Sequence, residues 1–290
     1  MSWRLALPNG RTLELGERPR VMAVLNLTPD SFSDGGTWLD PVRAVDRGLE
    51  MIEQGADLLD LGAESTRPGG GVYGDGAGEV AAGEEAERLM PVLKRLRAAT
   101  GAVISVDTRK AAVARRALDE GADLVNDVSG LAEAELAEVV AAAACPLVLM
   151  HSRGEIRTMQ RGIRFGDVTA EVTAELGELV ARARRAGIGE DRLIVDPGIG
   201  FGKTARQNLR ILGQLERLHA LGRPILVGAS RKSFIAAVSP APPGERLGGS
   251  LAAVSAAVRG RASIVRVHDV AETAQFLRLK NAIDLAASAD

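Results

Sequence analysis

The sequence predicts an α/β protein whose fold is a single (β/α)8 TIM barrel, and three observations support this. Short apolar runs alternate with longer helix-like segments along the chain, as in repeated β-α units. Many of these runs are continuously apolar, which is typical of parallel strands that are covered on both faces. Eight strand candidates and eight helix candidates match the number that a closed barrel needs. An open, doubly wound sheet is the alternative, because counting elements does not establish closure.

The predicted elements follow one another from the first apolar run to the end of the chain. The predicted strands cover residues 21–27, 57–61, 102–107, 124–127, 146–150, 193–196, 224–228 and 263–267. The predicted helices cover residues 41–54, 84–99, 110–120, 132–143, 168–186, 206–220, 249–259 and 270–285. Several junctions, such as EQGADLLDL, share one pattern: a glycine ends the helix, and a turn leads into a buried strand.

The segments outside this alternation predict how the two ends of the barrel are built. Residues 1–20 form a hairpin around Pro8-Asn9-Gly10, which we expect to close the bottom of the barrel. Long loops rich in glycine follow the first two strands, at 28–40 and 63–83, and project from the face where barrel active sites lie. No linker interrupts the pattern, so residues 1–290 are expected to form one domain.

Composition narrows the possible partners and location. The formal net charge is −2, so no basic field is present to bind nucleic acid or an anionic membrane surface. No apolar segment has the length of a membrane span, and the N-terminus lacks a signal-peptide core. Cys145 is the only cysteine, which excludes an intrachain disulfide and a cysteine-based zinc site. A cytoplasmic location is therefore expected.

Polar residues stand at or just after the end of nearly every predicted strand. They are Asn26, Glu64, Asp107, Asn126, Asp127, His151, Asp196, residues 230–232, Arg266 and His268. Any one of them could simply cap the helix that follows. In a barrel, however, the carboxyl ends of all the strands converge on one mouth, so the set as a whole predicts a binding site.

Part of this set suits a flat heterocycle. Asp107, Asn126, Asp196 and Lys232 offer both donors and acceptors to the edges of such a ring. A buried carboxylate that faces an amino-amide edge makes paired hydrogen bonds and rejects analogues without those groups.

Another part of the set suits an anion and a hard cation. Asn26 offers a neutral oxygen to an ion such as Mg²⁺, while Arg266 and His268 offer donors to phosphate. Residues 230–233, SRKS, open a short helix whose amides could bind a carboxylate or a phosphate, although a solvated helix start is the alternative. The run DPGIGFGKT is not a phosphate-binding P-loop, because Pro197 stands where that motif requires glycine, and its glycines can serve close packing alone.

From about residue 20 to residue 285 the chain resembles the dihydropteroate synthase family. The matching segments occur in the family's order, and together they are far more specific than any one of them. They are LNLTPDSFSDGG (25–36), ESTRPG (64–69), SVDTRK (105–110), VNDVSG (125–130), LMH (149–151), DPGIGFGK (196–203), GASRKSF (228–234) and VRVHDV (265–270).

The resemblance implies a reaction in which a pterin pyrophosphate is joined to p-aminobenzoate with the help of Mg²⁺. It implies that Arg266 stacks on the pterin and, with His268 and Asn26, holds the pyrophosphate and the metal. The remaining implied substrate-binding residues are Thr66, Arg67, Pro68, Asp107, Asn126, Met150, Asp196, Phe201, Lys232 and Ser233. Among these, Ser233 would meet the p-aminobenzoate carboxylate, and Phe201 and Pro68 would clamp its ring, with Phe32 closing over it.

The resemblance also implies how the reaction proceeds. C–O cleavage would precede attack and leave a pterin methyl cation, with Asp34 and Asp107 close to the developing positive charge. The implied catalytic residues are Asp34, Asp107, Arg266 and His268. The first two long loops would close and exclude water, which otherwise captures the cation.

Two other functions remain open at the level of sequence. A pterin-binding methyltransferase uses a similar barrel but needs no pyrophosphate site, so Arg266, His268 and the long loops argue against it. A barrel that binds pterin without turnover is disfavoured by the presence of Asn26, Asp107 and Arg266. The family resemblance further suggests a homodimer through the last helices, although packing against the sheet explains the apolar stretch 251–258 equally well.

Overall fold

The computed structural model describes residues 2–16, 18–28, 40–65, 79–154, 159 and 162–288. The strands in this part of the chain are β1 (Trp3–Ala6), β2 (Thr12–Leu15), β3 (Arg20–Asn26), β4 (Leu58–Gly62), β5 (Val103–Asp107), β6 (Leu124–Asp127), β7 (Leu147–Met150), β8 (Leu193–Asp196), β9 (Leu226–Val227) and β10 (Ile264–Val267). The helices are α1 (Pro41–Glu53), α2 (Ala82–Ala99), α3 (Ala111–Asp119), α4 (Ala134–Ala143), α5 (Val168–Arg185), α6 (Ala205–Gly213), α7 (Ser233–Ala236), α8 (Leu247–Arg259) and α9 (Val270–Ala287).

The sheet is the parallel barrel that the sequence predicts. Its strands run in the order β8-β7-β6-β5-β4-β3-β10-β9, with every adjacent pair parallel. A parallel bridge between Val195 and Ile225 joins the two outer strands of this order. All eight predicted strands are present, and the open-sheet alternative is wrong.

The seventh barrel strand is shorter than predicted. The sequence predicts a strand over 224–228, whereas β9 comprises Leu226–Val227 alone. Pro224 has no N–H to give to the ladder, and its carbonyl oxygen accepts a hydrogen bond from the Val195 amide at 3.0 Å. The seam between β8 and β9 therefore has fewer ladder hydrogen bonds than its neighbours.

The helix predicted over 206–220 is wrong as a single element. The α-helix α6 ends at Gly213, and a 3₁₀-helix follows at Leu215–Leu221. Leu212, Leu215 and Leu218 are all buried, and their spacing of three residues matches the three residues per turn of a 3₁₀-helix. The apolar pattern thus continued across a change of helix type.

Several helices begin where side chains satisfy their first amides. The side chain of Asp40 accepts from the Val42 amide in front of α1, where Pro41 occupies the first turn. Asp167 caps α5 in the same manner by accepting from two amides. Thr204 and Gln207 form a reciprocal capping box at α6. These caps fix the points at which the loops leave the barrel mouth.

Side chains alternate between the two faces of each barrel strand. On β4, Leu59 and Leu61 pack outward in the main core with the helices, whereas Leu58 packs in a separate cluster inside the barrel. Because the period is two, Asp60 shares the interior face with Leu58. The lower interior is apolar, and the polar side chains come from positions nearer the carboxyl ends of the strands.

The N-terminal hairpin closes the bottom of the barrel. Strands β1 and β2 pair antiparallel, with the turn at Pro8-Asn9-Gly10 as predicted. The hairpin's buried leucines pack against interior residues of seven barrel strands; the cluster is Leu5, Leu7, Leu13, Leu15, Met22, Leu58, Leu124, Val148, Ile194, Leu226 and Ile264. The buried Asp123 carboxylate fixes the hairpin by accepting from Asn9 at 2.8 Å and Arg11 at 2.7 Å.

Within the described part of the chain, no helix is both long enough and apolar enough to cross a bilayer.

Replacing one buried leucine of the N-terminal hairpin tests how much the hairpin contributes to stability. Leu5 is fully buried, so Leu5→Ala should lower the free energy of unfolding by about 2–5 kcal/mol, the usual range for such core truncations. Leu209→Ala is the matched control, because Leu209 is 44% exposed. Equilibrium urea denaturation measures the free energy of unfolding of both variants. Equal losses of stability in the two would contradict a stabilising role of the hairpin.

Candidate active site

A guanidinium held between two carboxylates forms the centre of the candidate site. Arg266 projects inward from β10, and its Nε donates to Asp60 Oδ2 at 2.6 Å. Its Nη2 donates to Asp107 Oδ2 at 2.8 Å. A charge-assisted pair of this kind has a fixed geometry, because the guanidinium is planar. The orientation of Arg266 is therefore set before any ligand arrives.

Asp60 also holds the amide of Asn126. Asn126 Nδ2 donates to Asp60 Oδ2 at 3.0 Å, so one carboxylate oxygen accepts from two site residues. Sequence reasoning missed Asp60, because it searched the ends of the strands and Asp60 lies in the middle of one. The available signal was an acidic residue inside the apolar run LLDLG. Charged residues are almost never fully buried unless they are paired.

Asp107 is both buried and incompletely paired. Burial raises the pKa of Asp107 to about 7, although the positive charge of Arg266 acts in the opposite direction. The negative charge of Asp60 adds to the increase. Asp107 Oδ1 is buried and has no hydrogen-bond partner within the described residues. An acceptor in this condition is suited to an N–H donor of a ligand.

A second group of predicted residues lies around the end of β8. Asp196 Oδ1 accepts from the Gly198 amide at 2.7 Å. Burial raises the pKa of Asp196, while the positive charge of Lys232 lowers it. Lys232 Nζ donates to the Ile199 carbonyl and lies 4.6 Å from the centre of the Phe201 ring. Burial lowers the pKa of Lys232 to about 8.

The two groups meet within one electrostatic site. The positive charges of Lys232 and Arg266 both act on the pKa of Asp196. A Cβ added at Gly228 would lie 3.8 Å from Arg266 Cβ and 3.9 Å from Asp196 Oδ2, so the two side chains flank the same backbone position. Met150 pairs with Asp196 in the strand register and packs in one apolar cluster with Phe201.

The glycines after β8 allow close backbone packing, as the sequence analysis permitted. Gly198 has φ +65°, and a Cβ there would lie 1.9 Å from the His151 carbonyl oxygen. A Cβ at Gly202 would lie 2.7 Å from the Arg153 carbonyl oxygen. The chain can therefore fold against the loop after β7 only with glycine at these positions.

A buried lysine that the sequence analysis did not single out secures this loop. Lys203 Nζ donates to the carbonyl oxygens of Gly198 at 3.0 Å and Phe201 at 2.9 Å. It also donates to His151 Nδ1 at 2.9 Å. Burial lowers the pKa of Lys203 to about 7. Lys203 thereby fixes the segment that carries Phe201.

Three of the predicted strand-end side chains make structural hydrogen bonds instead of facing a free mouth. Both ring nitrogens of His151 are engaged, one by Lys203 and the other by Glu175 at 3.0 Å. Asp127 accepts from the amides of Ser129 and Leu131 and so shapes its own turn. A third residue, Glu64, accepts from the Val80 amide and from the side chains of Arg109 and Lys110.

The segment after β9 ties the end of β10 in place. The Ser230 hydroxyl accepts from the His268 amide at 3.2 Å and lies 3.1 Å from His268 Nδ1. The next residue, Arg231, pairs with Asp269. Burial lowers the pKa of His268 to about 3, so its ring is neutral and donates through one nitrogen only. Ser233 begins α7 directly after Lys232.

Asn26 stands at the end of β3, where the register aligns it with Gly62 and, through it, with Asp107. Among the described residues, no group of three or more His, Cys, Asp or Glu side chains could enclose a metal ion. A single neutral amide oxygen suits Mg²⁺, which usually keeps water and takes phosphate oxygens as its other ligands. The donor set thus fits a magnesium ion that binds together with a phosphate.

Five of the predicted residues lie outside the described part of the chain. Phe32 and Asp34 belong to residues 29–39, and Thr66, Arg67 and Pro68 belong to residues 66–78. Their implied roles stay predictions.

A surface hollow of about 540 Å³ lies at the opposite end of the barrel. It is lined by residues that precede β3 and β4, such as Arg18 and Asp57, together with Arg278 of α9. Arg18 and Asp57 pair with each other at 3.3 Å, whereas the mouth holds a buried acceptor, Asp107 Oδ1, without a partner among the described residues. The mouth is therefore the candidate site.

Substituting Gly198 tests whether the loop after β8 depends on its close contact. Gly198→Ala should destabilise the protein by more than about 2 kcal/mol, because strain at positive φ adds to a clash with the His151 backbone. Gly213→Ala is the control, because nothing lies within 4 Å of an added Cβ there. Thermal denaturation of both variants gives the comparison, and a Gly198→Ala protein as stable as the control would refute the assigned contact.

Several known proteins are similar to this chain in sequence and in architecture. Residues 22–268 match the model of a family described as pterin binding enzyme. A dihydropteroate synthase of Synechocystis sp. is 45% identical over 280 residues, covering 96% of this chain and 94% of the relative. The Xanthomonas albilineans dihydropteroate synthase solved with 4-aminobenzoic acid is 44% identical, with a TM-score of 0.88 over 98% of this chain and 99% of that one.

A second similar structure contains a ligand in which a pterin and an aminobenzoate are already joined. The dihydropteroate synthase from Xanthomonas albilineans in complex with 7,8-dihydropteroate is 41% identical, with a TM-score of 0.85 over 97% of this chain and 98% of that one. Identity at this level extends over almost the full length of both partners in each comparison. The chain belongs to the dihydropteroate synthase family of pterin-binding enzymes.

Proposed function

We propose that the protein joins 6-hydroxymethyl-7,8-dihydropterin pyrophosphate to p-aminobenzoate and releases 7,8-dihydropteroate and pyrophosphate. The bond formed is between the amine nitrogen and the pterin methylene carbon, the bond broken is the C–O bond to pyrophosphate, and the amine loses a proton. The observation that carries the proposal is the buried Asp107 carboxylate, fixed by Arg266 through one oxygen and without a partner among the described residues at the other. Such a group is a ready acceptor for the pterin.

The pterin edge is proposed to meet two sets of groups. Asp107 and Asn126 would face one side of the heterocycle, and Asp196 and Lys232 the other, with Met150 lining the pocket. Because these groups are buried, a ring that lacks matching donors would leave them unpaired at a cost of several kcal/mol. This arrangement accounts for selectivity toward a pterin.

The leaving group is proposed to bind between Asn26, Arg266 and His268. Arg266 Nη1 makes no hydrogen bond within the described chain, so it remains for a phosphate oxygen or the pterin face. Neutral His268 can donate one N–H to phosphate. Asn26 would hold Mg²⁺, which when bound neutralises charge on the departing pyrophosphate. Asp107 would face the positive charge that develops on the pterin methylene, together with Asp34 of the first loop.

The p-aminobenzoate subsite is proposed to lie beside Phe201 and Ser233. The Phe201 ring is held by the loop that Lys203 anchors, and it packs with Met150. Ser233 would donate to the carboxylate of the substrate. Phe32, Pro68, Thr66 and Arg67 would complete the subsite from the two loops that follow β3 and β4.

Turnover of the pterin substrate tests the proposal directly. Incubation with the pterin pyrophosphate, p-aminobenzoate and Mg²⁺ should release pyrophosphate and form 7,8-dihydropteroate, and the 7,8-dihydropteroate should form only when both organic substrates are present. No pyrophosphate release, or release without any 7,8-dihydropteroate, would contradict the proposal.

Two variants assign that activity to the mouth. Asp196→Ala should abolish pterin binding, because the buried ring would lose a charged acceptor. Asp191→Ala, in the short 3₁₀-helix before β8, is the control and should bind as the wild type does. Calorimetric titration with the pterin substrate compares the two.

The assembly is proposed to be a homodimer through the last helices, with residues 1–290 acting as one domain. Leu279 and Ile283 of α9 are 62% and 57% exposed, and they lie one turn apart on the same helical face. Burial of this face against a second copy would remove exposed apolar surface. Sedimentation equilibrium should therefore show a dimer that Leu279→Glu weakens at least tenfold, whereas Glu272→Lys, nearer the start of α9, should not weaken it. A wild-type monomer at micromolar concentration would exclude this assembly.

A cytoplasmic location is also proposed, supported by a lone, buried cysteine, Cys145. Fractionation of the source cells would test it.

A further inference from the structure

Asp60 is the charged residue of the mouth that no assigned role uses. Its side chain is completely buried on the interior face of β4, and the register places it beside Val24 and Ser105. Unlike the strand-end residues, it lies in the middle of its strand. Its carboxylate nevertheless connects two strands that carry different parts of the proposed site.

A single oxygen of Asp60 makes this connection. Asp60 Oδ2 accepts from Asn126 Nδ2 at 3.0 Å and from Arg266 Nε at 2.6 Å. Asn126 belongs to the proposed pterin edge, and Arg266 to the proposed pyrophosphate side. The position of either side chain thus depends on the same acceptor.

The chemistry of this acceptor also fixes the orientation of the Asn126 amide. Asp60 Oδ2 already accepts from Arg266 Nε, so it acts as an acceptor and Asn126 directs its NH₂ group toward it. Its Oδ1 then points elsewhere and is left as an acceptor for an N–H of the ligand. An amide in Asp60's place would offer both a donor and an acceptor, and Asn126 could adopt either orientation.

The network is poorly suited to a purely structural role. Asp60 Oδ1 is buried without a hydrogen-bond partner in the described residues, and so is Asp107 Oδ1 on the other side of Arg266. Buried carboxylate oxygens without donors destabilise a fold, and a well-packed apolar group would serve stability better. Their presence therefore points to a role in the site.

We propose that Asp60 is a positioning residue for the reaction: it sets the acceptor orientation of Asn126 and the direction of Arg266, and so couples pterin recognition to leaving-group binding. This inference rests on the proposed function, because it takes the pterin pyrophosphate as the ligand.

The test compares two buried aspartates at opposite ends of the barrel. Asp60→Asn keeps the shape and removes the charge at the mouth. Asp123→Asn makes the same change at the bottom, where the carboxylate is equally buried and holds Asn9, Arg11 and Arg97. Both variants should lose thermal stability, but only Asp60→Asn should change ligand binding.

The expected loss is specific to one substrate. Asp60→Asn should weaken the affinity for the pterin pyrophosphate by about ten- to a hundredfold, as for a lost hydrogen bond to a charged group. The KM for p-aminobenzoate should stay within about twofold, because Asp60 contacts none of its proposed residues. If Asp60→Asn does not fold, Asp60→Ser keeps one acceptor in a smaller side chain and should show the same split.

Two results would overturn the inference. One is an unchanged pterin pyrophosphate affinity in folded Asp60→Asn or Asp60→Ser protein, and the other is an equal loss of affinity in Asp123→Asn. A wild-type protein that releases no pyrophosphate would overturn the proposed function instead. Calorimetric titration of wild type, Asp60→Asn and Asp123→Asn with the pterin pyrophosphate would still decide the role of Asp60.

Discussion

The site depends on burying opposite charges together inside the barrel. Asp60 and Asp107 are both carboxyl residues, and both are removed from water by the strands around them. Arg266 reaches both from the opposite side of the seam between β3 and β10. Removing one member of such a buried network typically destabilises a protein by about 3–5 kcal/mol, because the remaining charge loses its partner. Because Asp60 accepts hydrogen bonds from both Arg266 and Asn126, these two side chains are held in one arrangement before a ligand binds.

A second constraint acts through the backbone. The loop after β8 packs so closely on the loop after β7 that a single added carbon at Gly198 would overlap a carbonyl oxygen. Lys203 Nζ, which is buried beneath this loop, donates to the loop's carbonyl oxygens at Gly198 and Phe201. Because Phe201 and the Asp196 contact to Gly198 belong to this loop, both depend on that packing. Gly198 and Lys203 thus fix the position of the loop after β8, as Arg266 fixes the side chains that project from β4 and β5.

Much of this architecture is readable from sequence, because it follows local rules. The continuous apolar runs mark the barrel strands, and the residues at their ends mark the mouth. Asp60 was not predicted, because its role depends on contacts with Asn126 and Arg266. These residues lie 66 and 206 positions further along the chain, and no local pattern reports such contacts. The helix after β8 escaped for a different reason: spacing of three between leucines satisfies both an α-helical and a 3₁₀ pattern over a short stretch. Lys203 was visible in the motif, but its burial is a tertiary property.

The packing of the N-terminal hairpin at the bottom of the barrel has a consequence for how the chain folds. Leu5 precedes every barrel strand along the sequence, yet the cluster it joins includes Ile264 of β10. The cavity that β1 and β2 fill is lined by residues of strands from β3 to β10, so it is complete only when these strands are in place. Contacts of such long sequence separation slow folding, because the loop between them must close first. Docking of β1 and β2 is therefore expected to be a late step of folding.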